Sequence, residues 1–396
     1  MASSTSEQRK VYMLSPLTRG RERPFYHVRK RNESYVKQMV DAYGWALGGK
    51  YPSMHVETGE VFFFPHDTLI MHPQEARKMG IKSESDLYGG LVPEPFLATK
   101  VIVHPLVSNT AQHPHMWSDT FAQTRKQDGC MGYAVFSKED ARKASAQLLQ
   151  EYGAIRGKDP TRSGGRGQIV IRTHAEIEAA IVNINQKNLE KYGYIFETHL
   201  QDTEILSIGQ SKVNGDIISY YGLQRQRCIG EERTEYAGTD LVVVRGGYNQ
   251  LFQIGSVTEH LHQAIEQVVR FHRALSYYEE ILASRMNVDV VQGYDEKAGN
   301  WLSILTDPAL RPGGAPELQA QIAMKQDPEA KVVYASSYDG YYQEGEEKPV
   351  LPDGATVHFH GRDDEFKPQK TILIYSIVHS HGNYDVFDNH QSANCN

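Results

Sequence analysis

Lys158 ends the run Ile155-Arg-Gly-Lys158, and a glycine-rich stretch, Ser163-Gly-Gly-Arg-Gly-Gln168, follows within a few residues. A lysine ammonium is a compact point charge suited to a phosphate oxygen. Gly164, Gly165 and Gly167 would let backbone N–H groups come close to phosphate oxygens, because no side chain stands between. Arg166 adds a cation at the tip. No Gly-Lys-Ser/Thr closes the stretch, so it is not a Walker A loop. Asp289 and Asp307 lie on two predicted strands joined by a polar turn at 295–300. Their carboxylates are hard oxygen donors of the kind a divalent cation takes, or structural groups at strand ends. Arg245 ends an apolar run that begins at Asp240. There it could grip a carboxylate or phosphate at two points, or pair with a structural carboxylate. Three His-x-His pairs, His113/His115, His358/His360 and His379/His381, could each chelate zinc from one face of a strand, although packed or exposed histidines are the commoner outcome. Cys130 and Cys228 have no basic partner nearby in sequence to activate a thiolate.

These residues need elements to hold them. The patterning predicts a strand at 133–136, then a helix over 139–151 with Ser137 as its N-cap and Gly153 as its stop. A strand at 154–156 leads into the glycine-rich loop, and a strand at 168–172 leaves it. Thr173 caps a helix over 176–184, and 194–197 is the next strand. Segments 204–210 and 216–221 read as a hairpin turned at Asn214-Gly215, a strong signal for a two-residue turn. A long helix is expected over 257–282, with strands at 288–292 and 301–306. Upstream lie β-like runs at 61–64 and 101–103 and a helix at 33–46. Downstream, 331–334 and 371–377 are β-like, and the tyrosine-rich 338–342 either lines a pocket or packs a loop. Alternating β and α with hairpins interspersed indicates an α+β fold.

The chain has 396 residues, 40% of them hydrophobic, which implies two or three lobes around a cleft. The net charge of −7 gives no general attraction to nucleic acid. Residues 9–31 are locally basic, as a solvated arm or a contact for an anion. Three widely spaced cysteines suggest reduced thiols and a cytoplasmic protein. No apolar run nears the roughly 20 residues of a membrane helix, and residues 1–10 lack a signal-peptide core.

The order of these features resembles the ATP-grasp superfamily over about residues 95–325, with the closest likeness to uncharacterised biotin-carboxylase-like members. The resemblance rests on Ala98-Thr-Lys100, Gly164-Gly-Arg-Gly-Gln168, Ser219-Tyr-Tyr-Gly222, Asp240-Leu-Val-Val-Val-Arg-Gly246 and Arg311-Pro-Gly-Gly-Ala315. It implies two α+β subdomains clamping ATP, at 111–195 with the glycine-rich lid and at 196–330 with the metal strands. An N-terminal α/β-type domain would span 1–110, and a C-terminal extension 331–396. By the same resemblance Lys100 and Lys158 reach the phosphates. The chain around Glu197, His199 and Leu200 meets the adenine edge, and Glu204, seven residues after Glu197, accepts hydrogen bonds from the ribose. Asp289 and Asp307 would hold Mg2+, and Arg311 would steady the transferring phosphoryl group. The family usually has Glu where this chain has Asp307, and Asn where it has Ala309, which puts one metal ligand in question.

The implied activity is ATP- and magnesium-dependent ligation of a small-molecule carboxylate to an amine, with Arg311, Lys158 and Arg245 as catalytic candidates. Neither a nucleic-acid nor a membrane partner is expected, and family analogy implies a homodimer. The other reading is a decayed ATP-grasp protein that binds nucleotide for regulation. A histidine-ligated metal protein is a third.

Overall fold

The structure, a computed structural model, describes residues 8–15, 24–49, 51, 60–127, 131–230, 233–255 and 257–379. Strand β1 (Lys10–Leu14) lies between β2 (Ala46–Leu47) and β3 (Val61–Pro65) in a parallel sheet. Parallel neighbours need a crossover, and helix α1 (Tyr26–Tyr43) supplies the first one. Tyr35, Val36, Met39 and Val40 recur at helical spacing and bury against Phe62 and Phe64. The helix starts well before the expected 33–46. Its first turns bury polar groups, His27, Arg31 and Asn32, which no hydrophobic pattern reveals. Gly44 ends it with φ 66°, a left-handed conformation that glycine adopts without strain. Next come β4 (Leu69–Ile70), α2 (Pro73–Met79) and β5 (Gly90–Val92). The run expected as a strand at 101–103 is a 3-10 turn, Lys100–Val103, capped by the Thr99 hydroxyl. It is buried on all sides, and periodicity cannot tell such a run from a buried strand.

The second unit contains α3 (Asp119–Gln127), β6 (Gly132–Val135), α4 (Lys138–Tyr152), β7 (Ile155–Lys158), β8 (Gln168–Ile171), α5 (His174–Val182), α6 (Gln186–Tyr192) and β9 (Tyr194–Thr198). Its strands form an antiparallel sheet in the order β6-β9-β7-β8. Local chemistry fixes the helix starts. The Ser137 hydroxyl accepts from the Asp140 N–H, and Thr173 and Glu176 form a reciprocal capping box. Ala141, Ala144 and Leu148 of α4 pack with Ile177 and Ile181 of α5 over Val135, Ile155 and Phe196. The glycine-rich loop joins β7 to β8 as a flap.

The third unit begins with β10 (Leu200–Val213) and β11 (Asp216–Gly230), joined by Asn214 (φ 50°) and Gly215 (φ 86°). Both turn residues have positive φ, which matches the right-handed twist of a hairpin. There follow β12 (Arg233–Arg245), α7 (Glu259–Ala274), β13 (Leu282–Ala283), β14 (Arg285–Asp295), β15 (Trp301–Ala309), α8 (Glu317–Gln326), β16 (Val332–Tyr342), β17 (Thr356–Arg362) and β18 (Thr371–His379). The long strands make one sheet in the order β15-β14-β10-β11-β12-β16-β18-β17. The tail from 331 therefore extends the main sheet. Ala264, Ile265, Val268 and Phe271 of α7 cover one part of that sheet through Leu206, Ile208, Val288 and Val290. Ala320 and Met324 of α8 pack on Ile218, Leu241 and Val333. The helix expected over 257–282 stops at Ala274 and passes into a 3-10 turn.

Cys228 is disulfide-bonded, which corrects the expectation of reduced thiols. Cysteines so far apart in sequence give no sign of which will meet. Cys130, Cys395, His381 and much of the basic arm, Arg19, Arg21 and Arg23, lie outside the described residues.

Candidate active site

A cavity of about 630 Å³ opens between the flap, the β9–β10 connection, the ends of β14 and β15, and the start of α1. Ten Lys and Arg side chains line it against six Asp and Glu, a cationic excess in a chain of net charge −7. A concave, positively charged site concentrates anionic ligands.

Lys158 ends β7 and is 6% exposed, inside the cavity wall. It ion-pairs with Glu197 on the neighbouring strand β9, whose other oxygen meets His104 Nε2 at 3.0 Å. Burial alone would raise the Glu197 carboxyl, but the Lys158 ammonium and the His104 hydrogen bond outweigh it and hold the group at about 2. Burial pushes the Lys158 pKa down despite the attraction of Glu197. Because Glu197 is depressed from 4.5, its stabilising effect is complete above 4.5 and fades as pH falls toward 2. Wild type should therefore be more stable than Glu197→Gln near neutrality, and the gap should close across that acidic window. Denaturant melts of both proteins as a function of pH would check this.

Asp289 and Asp307 face each other across β14 and β15 in register. Asp289 Oδ1 accepts from Asn287 Nδ2 at 2.8 Å and from Ser207 Oγ at 3.2 Å, and Gln224 in turn holds Ser207. Burial and the facing Asp307 carboxylate push the Asp289 carboxyl up to about 6. Lys100 Nζ lies 2.6 Å from Asp307 Oδ2, so a cation already answers that carboxylate. Asn287 is in register with Ala309, and its Oδ1 is buried with no hydrogen-bond partner. Two carboxylates and an orphaned amide oxygen form a donor set that fits magnesium, with water and phosphate filling the other positions. Among the described residues, no group of three or more His, Cys, Asp or Glu side chains could hold a metal. His358 instead spends both ring nitrogens on Ser34 and Ser376, and His360 bonds Tyr342.

Gly164 and Gly165 line the cavity with φ 65° and 82°. A Cβ on Gly165 would sit 2.2 Å from the Thr234 carbonyl oxygen, so only glycine allows the flap to lie against β12. Gly167 also has positive φ, but it anchors the loop base, where its carbonyl accepts from the Asp159 N–H at 2.9 Å. Arg166 reaches across the cavity, its guanidinium 4.9 Å from the Phe25 ring and 5.2 Å from that of Phe366. Arg311 lines the cavity too. Arg285, buried and paired with Glu317, donates to the Ala309 and Arg311 carbonyls at 3.0 and 2.5 Å and so fixes the end of β15.

Several expected site residues stand elsewhere. Glu204 is exposed and does not line the cavity, although its neighbours Thr203 and Ile205 do. Alternation along β10 turns its side chain away, past an irregularity between Gln201 and Glu204. His199 faces Arg156 at 3.0 Å, also outside the lining, whereas Leu200 is within it. Arg245 is a correction. Its guanidinium donates to the carbonyls of Met324, Asp327 and Ala330 and thereby caps the C-terminus of α8. A cation there satisfies carbonyls that the helix leaves open. Arg245→Ala should cost about 1–2 kcal/mol of stability and leave nucleotide affinity unchanged, as thermal melts and an ATP titration would show. Sequence reasoning missed His104, Arg285, Arg31, Arg227 and Asp339. None is assigned a role by a spaced motif; the folded chain brings Arg285, Arg31, Arg227 and Asp339 to the cavity wall and His104 behind it, against Glu197.

Solved structures share this architecture. An N5-carboxyaminoimidazole synthetase from Staphylococcus aureus matches at TM-score 0.50 and 10% identity, over 96% of each chain. A biotin carboxylase β-γ-ATP complex from Campylobacter jejuni matches at TM-score 0.52 and 10% identity, over 96% of this chain and 89% of that one. No curated protein sequence matches. The likeness shows the α+β ATP-grasp fold that the sequence resemblance implied. Among the described residues, no helix is long and apolar enough to cross a membrane. The family model described as protein of unknown function (DUF3182) matches residues 17–372, and the chain belongs to that family.

Proposed function

We propose that this protein is an ATP- and magnesium-dependent carboxylate–amine ligase that works through an acyl phosphate and releases ADP and phosphate. The observation that carries the reading is a single cavity into which Lys158, Lys100, the flap, Asp289, Asp307 and Arg311 all open. The ATP-grasp fold and the nucleotide complex among its structural neighbours support ATP as the ligand.

In this reading the Lys100 and Lys158 ammonium groups meet the phosphate oxygens. Backbone N–H groups of Gly164 and Gly165 close over them. Arg311 faces the charge that develops as the γ-phosphoryl group passes to the substrate carboxylate. Bound through Asp289, Asp307 and Asn287, magnesium would neutralise phosphate charge. Gly313 and Gly314 let the backbone pack closely against Arg285 and Tyr236, since a Cβ on either would come within 2.9 or 2.7 Å of those side chains, and their N–H groups could face the acyl phosphate. The closed flap keeps water from hydrolysing the mixed anhydride. Positioning and electrostatics supply the catalysis.

A panel of carboxylic acids and amines, read by phosphate release and product mass, tests the proposal. ADP and phosphate in step with a condensed product support it, and stoichiometric AMP contradicts it. Ala309, in place of the family's Asn, favours a second reading as a nucleotide-binding regulator. Tight ATP binding without turnover across the panel would select that reading.

A further inference from the structure

Arg31 on α1 and Asp339 on β16 come from opposite ends of the chain, outside the flap and the aspartate strands, yet both line the same cavity. Arg31 is only 5% exposed. Its guanidinium donates to Asn32 Oδ1 at 3.4 and 3.3 Å and lies 5.6 Å from the Tyr35 ring. Among the described residues, no carboxylate lies within ion-pair distance of it. A buried guanidinium with one long-range acceptor is costly unless an anion completes it. The neighbouring His27, His66 and His358 rings, held neutral near pH 7 by burial, add no further positive charge but supply no negative one either.

Asp339 is the complementary case. No described residue hydrogen-bonds its carboxylate, and the Arg227 guanidinium donates to its backbone carbonyl instead, at 2.9 Å. Burial pushes the carboxyl up to about 6, while Arg31 and Arg227 pull it back. Arg31 and Asp339 thus feel each other's charge without touching. A gap between an open cation and an open carboxylate suits a ligand that carries both charges in reverse. Tyr236 links this end to the phosphate end. Its hydroxyl bonds Thr239 and Ser337, and its ring lies so close to Gly314 that a Cβ there would be 2.7 Å away.

We propose that Arg31 and Asp339 bind the amine substrate as a zwitterion, a free α-amino acid, with its carboxylate on Arg31 and its ammonium toward Asp339. The inference rests on the ligase reading and names its nucleophile. The ammonium gives one proton to Asp339, and the freed nitrogen pair attacks the acyl carbon. The C–N bond forms and the C–O bond to the phosphoryl group breaks. Phosphate leaves with that electron pair and takes the second proton, which leaves an amide.

The full-length protein, loaded with a non-hydrolysable ATP analogue and magnesium, is titrated calorimetrically with each standard L-amino acid. The matching N-acetyl derivatives, which lack the ammonium, and carboxamides, which lack the carboxylate, are titrated in parallel. At least one free amino acid binds, and its two blocked forms bind about ten- to a hundredfold more weakly. Arg31→Gln and Asp339→Asn each weaken that amino acid by a similar factor and keep the affinity for the analogue, which also reports that the variants fold. Arg31→Lys restores part of the loss. Analogue binding with no amino acid bound, or with blocked and free forms bound equally, overturns the zwitterion subsite alone. Failure to bind the analogue removes the ligase reading and this inference with it.

Discussion

Asp307→Asn is expected to lower turnover about 10²–10³-fold, the effect of removing one preorganised electrostatic group from a transition state, while the protein stays folded. Asp307 is in register with Asp289, and its carboxylate helps push the Asp289 carboxyl up. Removing one charge relieves that repulsion, and the asparagine can still accept from Lys100, which lies 2.6 Å from the native carboxylate. Relief of that repulsion and loss of the charge facing buried Lys100 oppose each other, so stability should change little as activity disappears. A residue kept for stability would show the opposite. Thermal melts and phosphate-release assays on the same preparations separate the two.

Lys158→Ala should weaken ATP binding by about 2 kcal/mol, roughly thirtyfold, the scale of a charge-assisted hydrogen bond. It should also destabilise the protein, because Glu197 would remain 3% exposed with only His104 to answer it. The two effects can be pulled apart. Lys158→Ala/Glu197→Gln removes the stranded charge, so its melting temperature should recover toward wild type while nucleotide affinity stays low. If affinity recovered together with stability, the lysine would be holding the lid sheet together and not a phosphate.

The sequence made legible what local chemistry controls. Ser137, Thr173 and Asn214-Gly215 are caps and a turn whose hydrogen bonds or φ values involve only near neighbours, and each folds as expected. Lys158 and the flap glycines stood out as candidates because a strand end and a glycine run place them at fixed points along the chain, and the two aspartates stood out through the resemblance to the ATP-grasp superfamily. Partners were not visible. Nothing around Arg245 shows that the end of α8 lies against it, and nothing around Lys100 shows Asp307 2.6 Å away. The side-chain direction of Glu204 depends on an irregularity in β10, and such a shift moves a residue to the other face without any mark in composition. Arg31 was seen only as part of a basic stretch. Its burial among Asn32, Tyr35 and three neutral histidines is set by a sheet and a C-terminal strand far away in sequence.

A crystal structure with a non-hydrolysable ATP analogue and magnesium tests the shared nucleotide site directly. The account predicts the triphosphate within hydrogen-bond reach of Lys100, Lys158 and the Gly164–Gly165 backbone, with the metal between it and Asp289 and Asp307. A nucleotide bound away from that cavity, or a flap and aspartate pair that never contact the same ligand, would contradict it.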